Sequence, residues 1–263
     1  MPRTDLTIPG ESAAVTGAAT GIGRRIAAAL GEAGLDLALN DLDGDALAEA
    51  EAELAATGVE VVTVAGDASD PAVTESLIDA AVDAYGGLDV LVNNVGIAGP
   101  TKPAEDVTHE EFMGTLEVNL GAMFSATKAA IPHLTDGGGR VVSLSSISGK
   151  RPLRDRTPYT TSKMGVIGFT RTLAVELADR GVTVNAVCPG SVEGPRLEAV
   201  IRGQAERQGR PYEEVEREFR EAAPMQQFVQ PEDVADAVLF LCSERAKRMT
   251  GQDLNVTAGT VMY

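Results

Sequence analysis

The stretch VTGAATGIGRR, residues 15–25, decides how the whole chain is interpreted. Its glycines at positions 17, 21 and 23 follow a short apolar run and precede an alanine-rich segment. A glycine-rich turn between a strand and a helix lets the backbone and the helix N-terminal amides approach an anion such as a pyrophosphate. The same trio also fits a tight turn with close helix packing, so other parts of the chain must decide between the two.

The length, charge and N-terminus predict one soluble domain. The 263 residues suit a single larger domain, and the net charge of −17 argues against nucleic acid or an anionic membrane as a partner. No run of about eighteen apolar residues occurs. The start MPRTDLTIPGES has no signal-peptide core. We therefore expect a cytoplasmic protein without a membrane partner.

The cysteines and histidines do not indicate a metal. Cys188 and Cys242 are far apart, and His109 and His133 stand at no recognised zinc-ligand spacing from them. Cys188, at the end of an apolar run, is interpreted as a small buried residue. We expect no metal cofactor and no disulfide framework.

Apolar runs alternate with amphipathic segments along the chain. Strands are predicted at residues 13–17, 35–41, 59–67, 88–94, 139–146, 182–190 and 253–256. Helices are predicted between them at residues 21–33, 43–57, 71–85, 108–134, 158–180 and 231–243. Near-continuous apolar strands that alternate with helices indicate a parallel sheet covered on both faces. The expected fold is one α/β domain, residues 1–263, with a doubly wound, Rossmann-type sheet of about seven strands.

Residues 191–226 interrupt this alternation. They are highly charged and helix-prone, and they precede the last predicted helix and strand. Long insertions in compact domains are commonly functional. We therefore expect a substrate lid over the carboxyl edge of the sheet.

An acidic residue at the end of the second predicted strand favours NAD as the ligand of the glycine-rich turn. Asp41 stands where a carboxylate accepts hydrogen bonds from ribose hydroxyls and repels a 2′-phosphate. Position 20 carries no cation to offset that repulsion, although Arg24 and Arg25 keep NADP open as the less favoured cofactor. Alternatively, Asp41 caps the helix predicted at 43–57, a role for which Asp43 is equally available.

Tyr159 and Lys163, in the segment YTTSK, lie four residues apart at the start of a predicted helix and so share one face. An ammonium beside a phenol stabilises the phenolate and lowers the phenol pKa towards the range of a general base. A solvated surface pair would have the same spacing. Ser146, which ends the fifth predicted strand, and Asn119, inside a predicted helix, add polar side chains that suit a site at the carboxyl edge.

Together these motifs resemble the short-chain dehydrogenase/reductase family over essentially the whole chain. TGAATGIG is similar to the family's cofactor glycine motif, NNVG at 93–96 to its strand-four motif, and PG at 189–190 to the segment beside the nicotinamide. The resemblance implies a catalytic tetrad of Asn119, Ser146, Tyr159 and Lys163. It implies cofactor contacts at Gly17, Thr20, Gly21, Ile22, Gly23, Asp41, Leu42, Asp67, Ala68, Asn94, Gly96, Tyr159, Lys163, Pro189, Gly190 and Val192.

The resemblance also implies the reaction, which is hydride transfer between nicotinamide and the carbon of a secondary alcohol or ketone. Tyr159 would be the general acid/base, and Ser146 would hydrogen-bond the reacting oxygen. Lys163 would bind the nicotinamide ribose and lower the tyrosine pKa, and Asn119 would fix a water in the proton path. Asp67 would contact the adenine.

Four positions depart from the family pattern. Val95 replaces an alanine, which is expected to alter packing only, and Gly194 replaces a threonine that helps to hold the carboxamide. The nicotinamide contacts are therefore expected to come from backbone groups around Val192. Thr257 and Ala258 stand where Asp-Gly is usual, so we expect the C-terminal tail to pack differently.

Basic residues near the expected pocket allow two interpretations. The residues concerned are Lys150, Arg151, Arg154, Arg156, Arg196 and Arg202. Either they form a rim that binds a carboxylate, sulfonate or phosphate of the substrate, or they are solvated residues that pair with acidic surface within or between subunits.

Three functions agree with these features. The favoured one is an NAD-dependent oxidoreductase of a secondary alcohol or ketone, such as a sugar, a hydroxy acid or another substrate with an anionic group. The alternatives are a 3-oxoacyl thioester reductase that uses NADPH and a non-catalytic dinucleotide sensor. The apolar faces of the helices predicted at 108–134 and 158–180 suit burial within one subunit as well as contact between subunits. They resemble the family's subunit interface, and this resemblance implies a homotetramer or a homodimer.

Overall fold

The seven predicted apolar runs form the strands of one sheet in the computed structural model, which describes residues 6–134 and 138–263. The strands are β1 (Ser12–Thr16), β2 (Asp36–Asp41), β3 (Val61–Ala65), β4 (Val90–Asn93), β5 (Arg140–Leu144), β6 (Thr183–Pro189) and β7 (Asp253–Val256). Their order is β3-β2-β1-β4-β5-β6-β7, and every neighbouring pair is parallel. The order reverses between β1 and β4, as in a doubly wound sheet. The predicted fold class is confirmed.

Helices connect the strands and cover both faces of the sheet. The described residues form α1 (Gly21–Glu32), α2 (Gly44–Ala55), α3 (Pro71–Tyr85), α4 (His109–Leu116), α5 (Ala122–Ala130), α6 (Thr157–Glu176), α7 (Pro195–Gln208), α8 (Tyr212–Glu221) and α9 (Pro231–Cys242). Among these described helices, none is long and apolar enough to cross a membrane.

The helix predicted at residues 108–134 is not continuous. Between α4 and α5 a π-helical turn covers Glu117–Gly121, in which the amide of Ala122 donates to the carbonyl of Glu117. The segment ends in a 3₁₀ turn at Ile131–His133. The prediction of one regular helix was wrong because a π turn inserts an additional residue that the apolar period does not reveal.

The sheet divides the hydrophobic core into two layers. On β1, Ala13 and Val15 face the layer covered by α1, α2 and α9, whereas Ala14 faces the layer covered by α3, α5 and α6. Both faces of the central strands are therefore buried, which explains why the strands are apolar throughout. Cys188 is fully buried in β6, in agreement with its interpretation as a small core residue.

Residues 191–226, called the lid segment below, form a separate pair of helices. α7 and α8 pack on each other through a small apolar cluster of their own. The buried members of this cluster are Ile201, Ala205, Val215 and Phe228. The chain enters and leaves the segment side by side, because the amide of Glu193 donates to Val229 and the amide of Val229 donates to Ser191, each at 2.9 Å.

Candidate active site

The carboxyl ends of the parallel strands bring the predicted site residues to one edge of the sheet. Gly17 directly follows β1 and Asn94 directly follows β4. Asp41 is the last residue of β2, and Pro189 is the last residue of β6. Ser146 lies two residues beyond the end of β5. Open parallel sheets bind their ligands at this edge.

The glycine-rich turn between β1 and α1 is closely packed on its inner side. A Cβ at Gly23 would lie 1.9 Å from the carbonyl oxygen of Gly17, so no larger residue fits there. Asn94 holds the turn from β4, since its Nδ2 donates to the carbonyl oxygens of Thr16 at 3.1 Å and Gly17 at 2.8 Å. A Cβ at Gly21 would meet no described atom within 4 Å. The outer side of the turn is therefore open to a ligand.

The N-terminus of α1 has no side-chain cap. Thr20 occupies the N-cap position and is exposed, but its side chain makes no capping hydrogen bond. By contrast, Asp43 caps α2 and Asp70 caps α3. Uncapped helix amides and the helix dipole favour an anion. Together with the open turn, and with Ile22 packed against the core, this end of α1 fits the pyrophosphate of a dinucleotide.

Asp41 lies beside the glycine-rich turn. Its Oδ2 accepts from the amide of Ala19 at 2.9 Å, and its Oδ1 accepts from the amide of Asp43 at 3.3 Å. The cap of α2 is Asp43, which accepts from the amide of Ala46 at 3.1 Å. The interpretation of Asp41 as the helix cap was therefore wrong. The next residue, Leu42, is 73% exposed and offers an apolar surface at the same edge.

The two arginines after the glycine-rich turn already have carboxylate partners. Arg24 pairs with Glu53. Arg25 lies 3.5 Å from Glu32 and 3.1 Å from Glu232. These ion pairs weaken the case for either arginine as the partner of a 2′-phosphate.

Asp67 and Ala68 lie just beyond β3 at the carboxyl edge. Oδ1 of Asp67 accepts from the amide of Ser69 at 2.9 Å and from its hydroxyl at 2.8 Å. The Asp67 side chain is exposed, whereas Ala68 is buried. Oδ1 of Asp67 is thus used within the local turn, whereas Oδ2 takes part in neither of these two hydrogen bonds.

Tyr159 and Lys163 lie one turn apart at the start of α6. Lys163 is only 4% exposed, and its Nζ donates to the carbonyl oxygen of Leu144 at 2.8 Å. Nζ stands 5.9 Å from the centroid of the Tyr159 ring. The side chain of Ser146 interacts with the Tyr159 hydroxyl closely enough to lower the pKa of Tyr159. The alternative of a solvated surface pair is excluded because the ammonium is buried.

Asn119 lies in the π-helical turn and is buried. Its Oδ1 accepts from the amide of Ile97 at 2.7 Å, and its Nδ2 donates to the Ile97 carbonyl at 3.1 Å and to the Ser162 hydroxyl at 2.9 Å. A Cβ at Gly96 would lie 3.2 Å from both Oδ1 of Asn119 and Nζ of Lys163. The π-helical turn therefore connects the segment after β4 with α6 at the site. The sequence of this turn is helix-like and did not indicate a π turn.

The charges around Tyr159 change its acidity. Burial by itself raises the pKa of Tyr159, but Lys163, Arg196, the hydrogen bond with Ser146 and Arg156 together outweigh burial and lower that pKa below its usual value. Burial lowers the pKa of Lys163, an effect that Arg196 strengthens and Tyr159 opposes. The site thus favours the phenolate more than water does.

The segment after β6 forms the remaining border of the site. Gly190 lies against the C-terminal tail, because a Cβ there would stand 3.1 Å from Cα of Thr257. Val192 is half-buried, and Gly194 has φ of 139°. Residues with a side chain rarely adopt that conformation. A threonine at position 194 would therefore be strained in this backbone conformation.

The C-terminal tail packs against the end of the lid segment. The hydroxyl of Thr257 donates to the carbonyl of Val261 at 3.1 Å. Ala258 has φ of 49°, and its carbonyl accepts from the amide of Met225 at 3.1 Å. Val95, the other departure, is half-buried and touches the glycine-rich turn beside Gly17.

Two of the six basic residues reach Tyr159. Cζ of Arg156, from the loop before α6, lies 4.6 Å from the ring centroid, and Cζ of Arg196, from α7, lies 5.8 Å from it. Lys150 is paired with Asp253 at 3.0 Å, which removes it from the expected rim. Arg202 lies over another ring in the lid segment. The remaining two are exposed, namely Arg151 and Arg154.

Known proteins resemble the chain over almost its full length. A family model described as enoyl-(acyl carrier protein) reductase matches residues 17–261. A D-beta-hydroxybutyrate dehydrogenase of Cupriavidus necator is 34% identical, with 96% of this chain and 98% of the relative covered. A 3-oxoacyl-(acyl-carrier-protein) reductase of Staphylococcus aureus is 35% identical, with the same coverage of 96% and 98%.

Two solved structures share the fold. An NAD+-bound xylitol dehydrogenase is 29% identical with a TM-score of 0.91, and the match covers 97% of this chain and 100% of that one. A single-substitution variant of actinorhodin polyketide ketoreductase with NADPH is 36% identical with a TM-score of 0.91 over 100% of both chains. Similar structures thus hold either of the two nicotinamide dinucleotides.

Proposed function

The chain belongs to the short-chain dehydrogenase/reductase family, and from that premise we propose that it is an NAD-dependent oxidoreductase of a secondary alcohol or ketone. The observation that carries the proposal is the arrangement at Tyr159. The pKa of this phenol is lowered by Ser146 and by the buried ammonium of Lys163, which lies 5.9 Å from the ring centroid. A general acid/base needs such a group close to the reacting oxygen.

Each member of the tetrad has a role in this reaction. In oxidation Tyr159 accepts the proton of the alcohol hydroxyl, and in reduction it donates a proton to the carbonyl oxygen. Ser146 donates a hydrogen bond to the same oxygen and orients it. Lys163 binds the nicotinamide ribose and stabilises the phenolate, and Asn119 holds the π-helical turn in place and positions a water that relays the proton. The nicotinamide, when bound, accepts or supplies the hydride.

The residues around the glycine-rich turn would hold the dinucleotide. The uncapped amides of α1 at Thr20 and Gly21 bind the pyrophosphate, and Asp41 accepts hydrogen bonds from the adenosine ribose. Asp67, Ala68 and the exposed Leu42 border the adenine. Gly96, Pro189, Gly190 and Val192 line the nicotinamide side.

NAD is preferred over NADP because of the carboxylate at the end of β2. A 2′-phosphate next to Asp41 meets a like charge. The nearest candidate cations, Arg24 and Arg25, are paired with glutamates. Relatives that reduce 3-oxoacyl thioesters make that reaction with NADPH the second candidate, and the same carboxylate disfavours it.

The lid segment closes over the substrate in this proposal, and the protein assembles through α5 and α6. Phe124 and Met164 are each 54% exposed, and Val175 is 78% exposed. Exposed apolar residues grouped on two helices favour a subunit interface, here with a second copy of the chain in a homotetramer or homodimer. Phe124→Glu is expected to lower the mass measured by light scattering, whereas Val200→Glu on α7 leaves it unchanged.

An absorbance assay tests the proposed activity. The protein is incubated with NAD+ and secondary alcohols, sugars and hydroxy acids, or with NADH and the matching ketones. We expect Tyr159→Phe to lower turnover by about 10²- to 10⁴-fold, the usual size of a general acid/base contribution, while cofactor binding persists.

The matched control for that variant is Tyr85→Phe. The Tyr85 hydroxyl donates to the carbonyl oxygen of Leu37 in the sheet at 2.9 Å, and Tyr85 is not one of the proposed site residues. Full turnover in Tyr159→Phe would refute the proposed role of Tyr159. Cofactor binding without turnover of any compound would instead indicate a dinucleotide sensor.

A further inference from the structure

Three cations surround the ring of Tyr159. Nζ of Lys163, on the same helix, lies 5.9 Å from the ring centroid. Cζ of Arg156, from the preceding loop, lies 4.6 Å from it, and Cζ of Arg196, from the lid segment, lies 5.8 Å from it. The proposed reaction gives Lys163 a role, because it binds the nicotinamide ribose and stabilises the phenolate. It gives no role to Arg156 or Arg196.

The two arginines also lack an anionic partner in the part of the chain that the structure describes. Arg156 donates to the hydroxyl of Thr101 at 2.9 Å, and its Nε is buried without a hydrogen-bond partner. Arg196 makes a long hydrogen bond of 3.4 Å to the carbonyl of Gly96. Neither forms an ion pair with a carboxylate of residues 6–134 or 138–263.

This local excess of positive charge contrasts with the chain as a whole. The net charge is −17, and three other arginines of the lid segment, Arg210, Arg217 and Arg220, pair with nearby glutamates. Burial and Arg196 both lower the pKa of Arg156, so keeping the half-buried Arg156 charged beside the exposed Arg196 has an electrostatic cost. A buried charge is tolerated where a counter-charge binds to it.

We propose that the missing counter-charge is a carboxylate of the substrate, held between Arg156 and Arg196, so that the natural substrate is a short hydroxy acid or keto acid. The planar guanidinium matches a carboxylate with two parallel hydrogen bonds. Both guanidiniums lie close to the ring whose hydroxyl meets the reacting oxygen. The carboxylate is therefore only a few bonds from the carbon that exchanges the hydride. This inference rests on the proposed function.

The proposal also connects substrate binding to closure of the lid segment. Arg156 belongs to the loop before α6, whereas Arg196 lies in the first turn of α7. A carboxylate that binds both joins the lid to the sheet. A neutral substrate of the same shape lacks this link.

The first test compares keto acids with their carboxamides. Short 2-, 3- and 4-oxo acids, such as acetoacetate, are assayed with NADH beside the isosteric carboxamides, such as acetoacetamide, in the intact protein. For the best acid we expect KM to rise about 10- to 100-fold in Arg156→Gln and in Arg196→Gln, the usual loss for a hydrogen bond to a charged group. KM for its carboxamide should stay within about twofold.

The matched controls are Arg154→Gln and Arg202→Gln, which remove an exposed loop arginine and a lid arginine that faces Tyr212. Both should leave KM for the acid unchanged. A role limited to the acidity of Tyr159 would change kcat for acid and carboxamide alike and leave their KM ratio constant, and that result would overturn the proposal. A wild-type protein that does not prefer the acid would also overturn it.

The second test measures binding without turnover. A keto acid cannot react with NAD+ because both are oxidised, so calorimetry of the NAD+-saturated protein with acetoacetate reports the anion site alone. We expect binding of the acid, none of the carboxamide at the same concentration, and loss of binding in both arginine variants. If no compound is reduced in the first test, the proposed function fails, and calorimetry still decides the anion site. Binding of hydroxyacetone phosphate instead of every carboxylate would refute the carboxylate.

Discussion

The sheet with α1–α6 and α9, called the framework here, is stabilised differently from the lid segment. Every residue of β1, β5 and β6 is buried, and the two core layers reach through all central strands. In the lid segment, α7 buries Ile201 and Ala205, and α8 buries Val215 alone. Ion pairs join Arg210 to Glu218 and Arg220 to Glu216 on the surface of the segment.

This difference in burial makes the framework more rigid than the lid segment. Apolar burial contributes about 25 cal/mol per Å², whereas exposed ion pairs contribute little and are screened by salt. Parts of a protein with few buried contacts open at lower free energy than its core. The framework therefore holds Asp41, Ser146, Tyr159 and Lys163 at fixed positions, while Arg196, which lies 5.8 Å from the Tyr159 ring, belongs to the less buried lid segment.

The largest expected effect contrasts one core residue from each region. Leu39→Ala, at a fully buried position of β2, should lower the free energy of global unfolding by about 2–5 kcal/mol in denaturant titrations at fixed protein concentration. Val215→Ala on α8 should leave global unfolding much less affected but speed proteolytic cleavage within residues 191–226. Equal losses of global stability would mean that the lid folds as part of the framework.

A second effect concerns cofactor choice, which we assign to the framework alone. Asp41→Asn removes the charge but keeps an oxygen for the amide of Ala19, so the NADP+ to NAD+ ratio of kcat/KM should rise by roughly 5-fold or more, for about 1–4 kcal/mol of relieved repulsion. Asp43→Asn, beside it at the N-cap of α2, serves as the control and should not change the ratio. An unchanged ratio in Asp41→Asn would place the 2′-phosphate elsewhere.

A third effect uses pH to measure how far the lid acts on the framework. Alcohol oxidation needs the phenolate, so kcat/KM should rise about tenfold per pH unit below the pKa of Tyr159 and level off above it. Arg196 helps to lower that pKa. Arg196→Gln should therefore shift the midpoint to higher pH, whereas Arg202→Gln should not. A common midpoint for all three proteins would mean that the lid stands open during catalysis.

The smallest expected effect compares two glycines. Gly203 lies inside α7, where a Cβ would approach nothing described closer than 3.9 Å, so Gly203→Ala should stabilise the lid helix by about 0.5–1 kcal/mol. Hydrogen exchange of the α7 amides would slow accordingly. Gly23→Ala, in the framework, would instead force the new Cβ against Gly17 and weaken NAD+ binding in calorimetry. Faster exchange in Gly203→Ala would mean that the alanine destabilises α7, and it would contradict this prediction.

The strands and most helices could be predicted because the periodicity of apolar residues along the chain matches their burial in the fold. Runs such as residues 13–17 are apolar on both faces, which in a parallel sheet is sufficient to identify a buried strand. The position of Asp41, Ser146 and Tyr159 at one edge then follows from the parallel order. Their spacing along the chain carries that information without tertiary detail.

Two features of the site could not be predicted. The π-helical turn at Asn119 depends on hydrogen bonds to Ile97 and Ser162, which are distant in sequence. The choice of Arg156 and Arg196 among six basic residues depends on loop paths, including the positive φ of Gly194 and the pairing of Lys150 with Asp253. Composition alone contains none of these contacts.

The adjacent ends of residues 191–226 have an evolutionary consequence. Because Ser191 and Glu193 are hydrogen-bonded to Val229, the insertion is a loop with joined ends, and its length does not alter the gap that those ends must span. Doubling the length of such a loop costs only about 0.6 kcal/mol. The insertion can thus change in length and sequence while the strands keep their register.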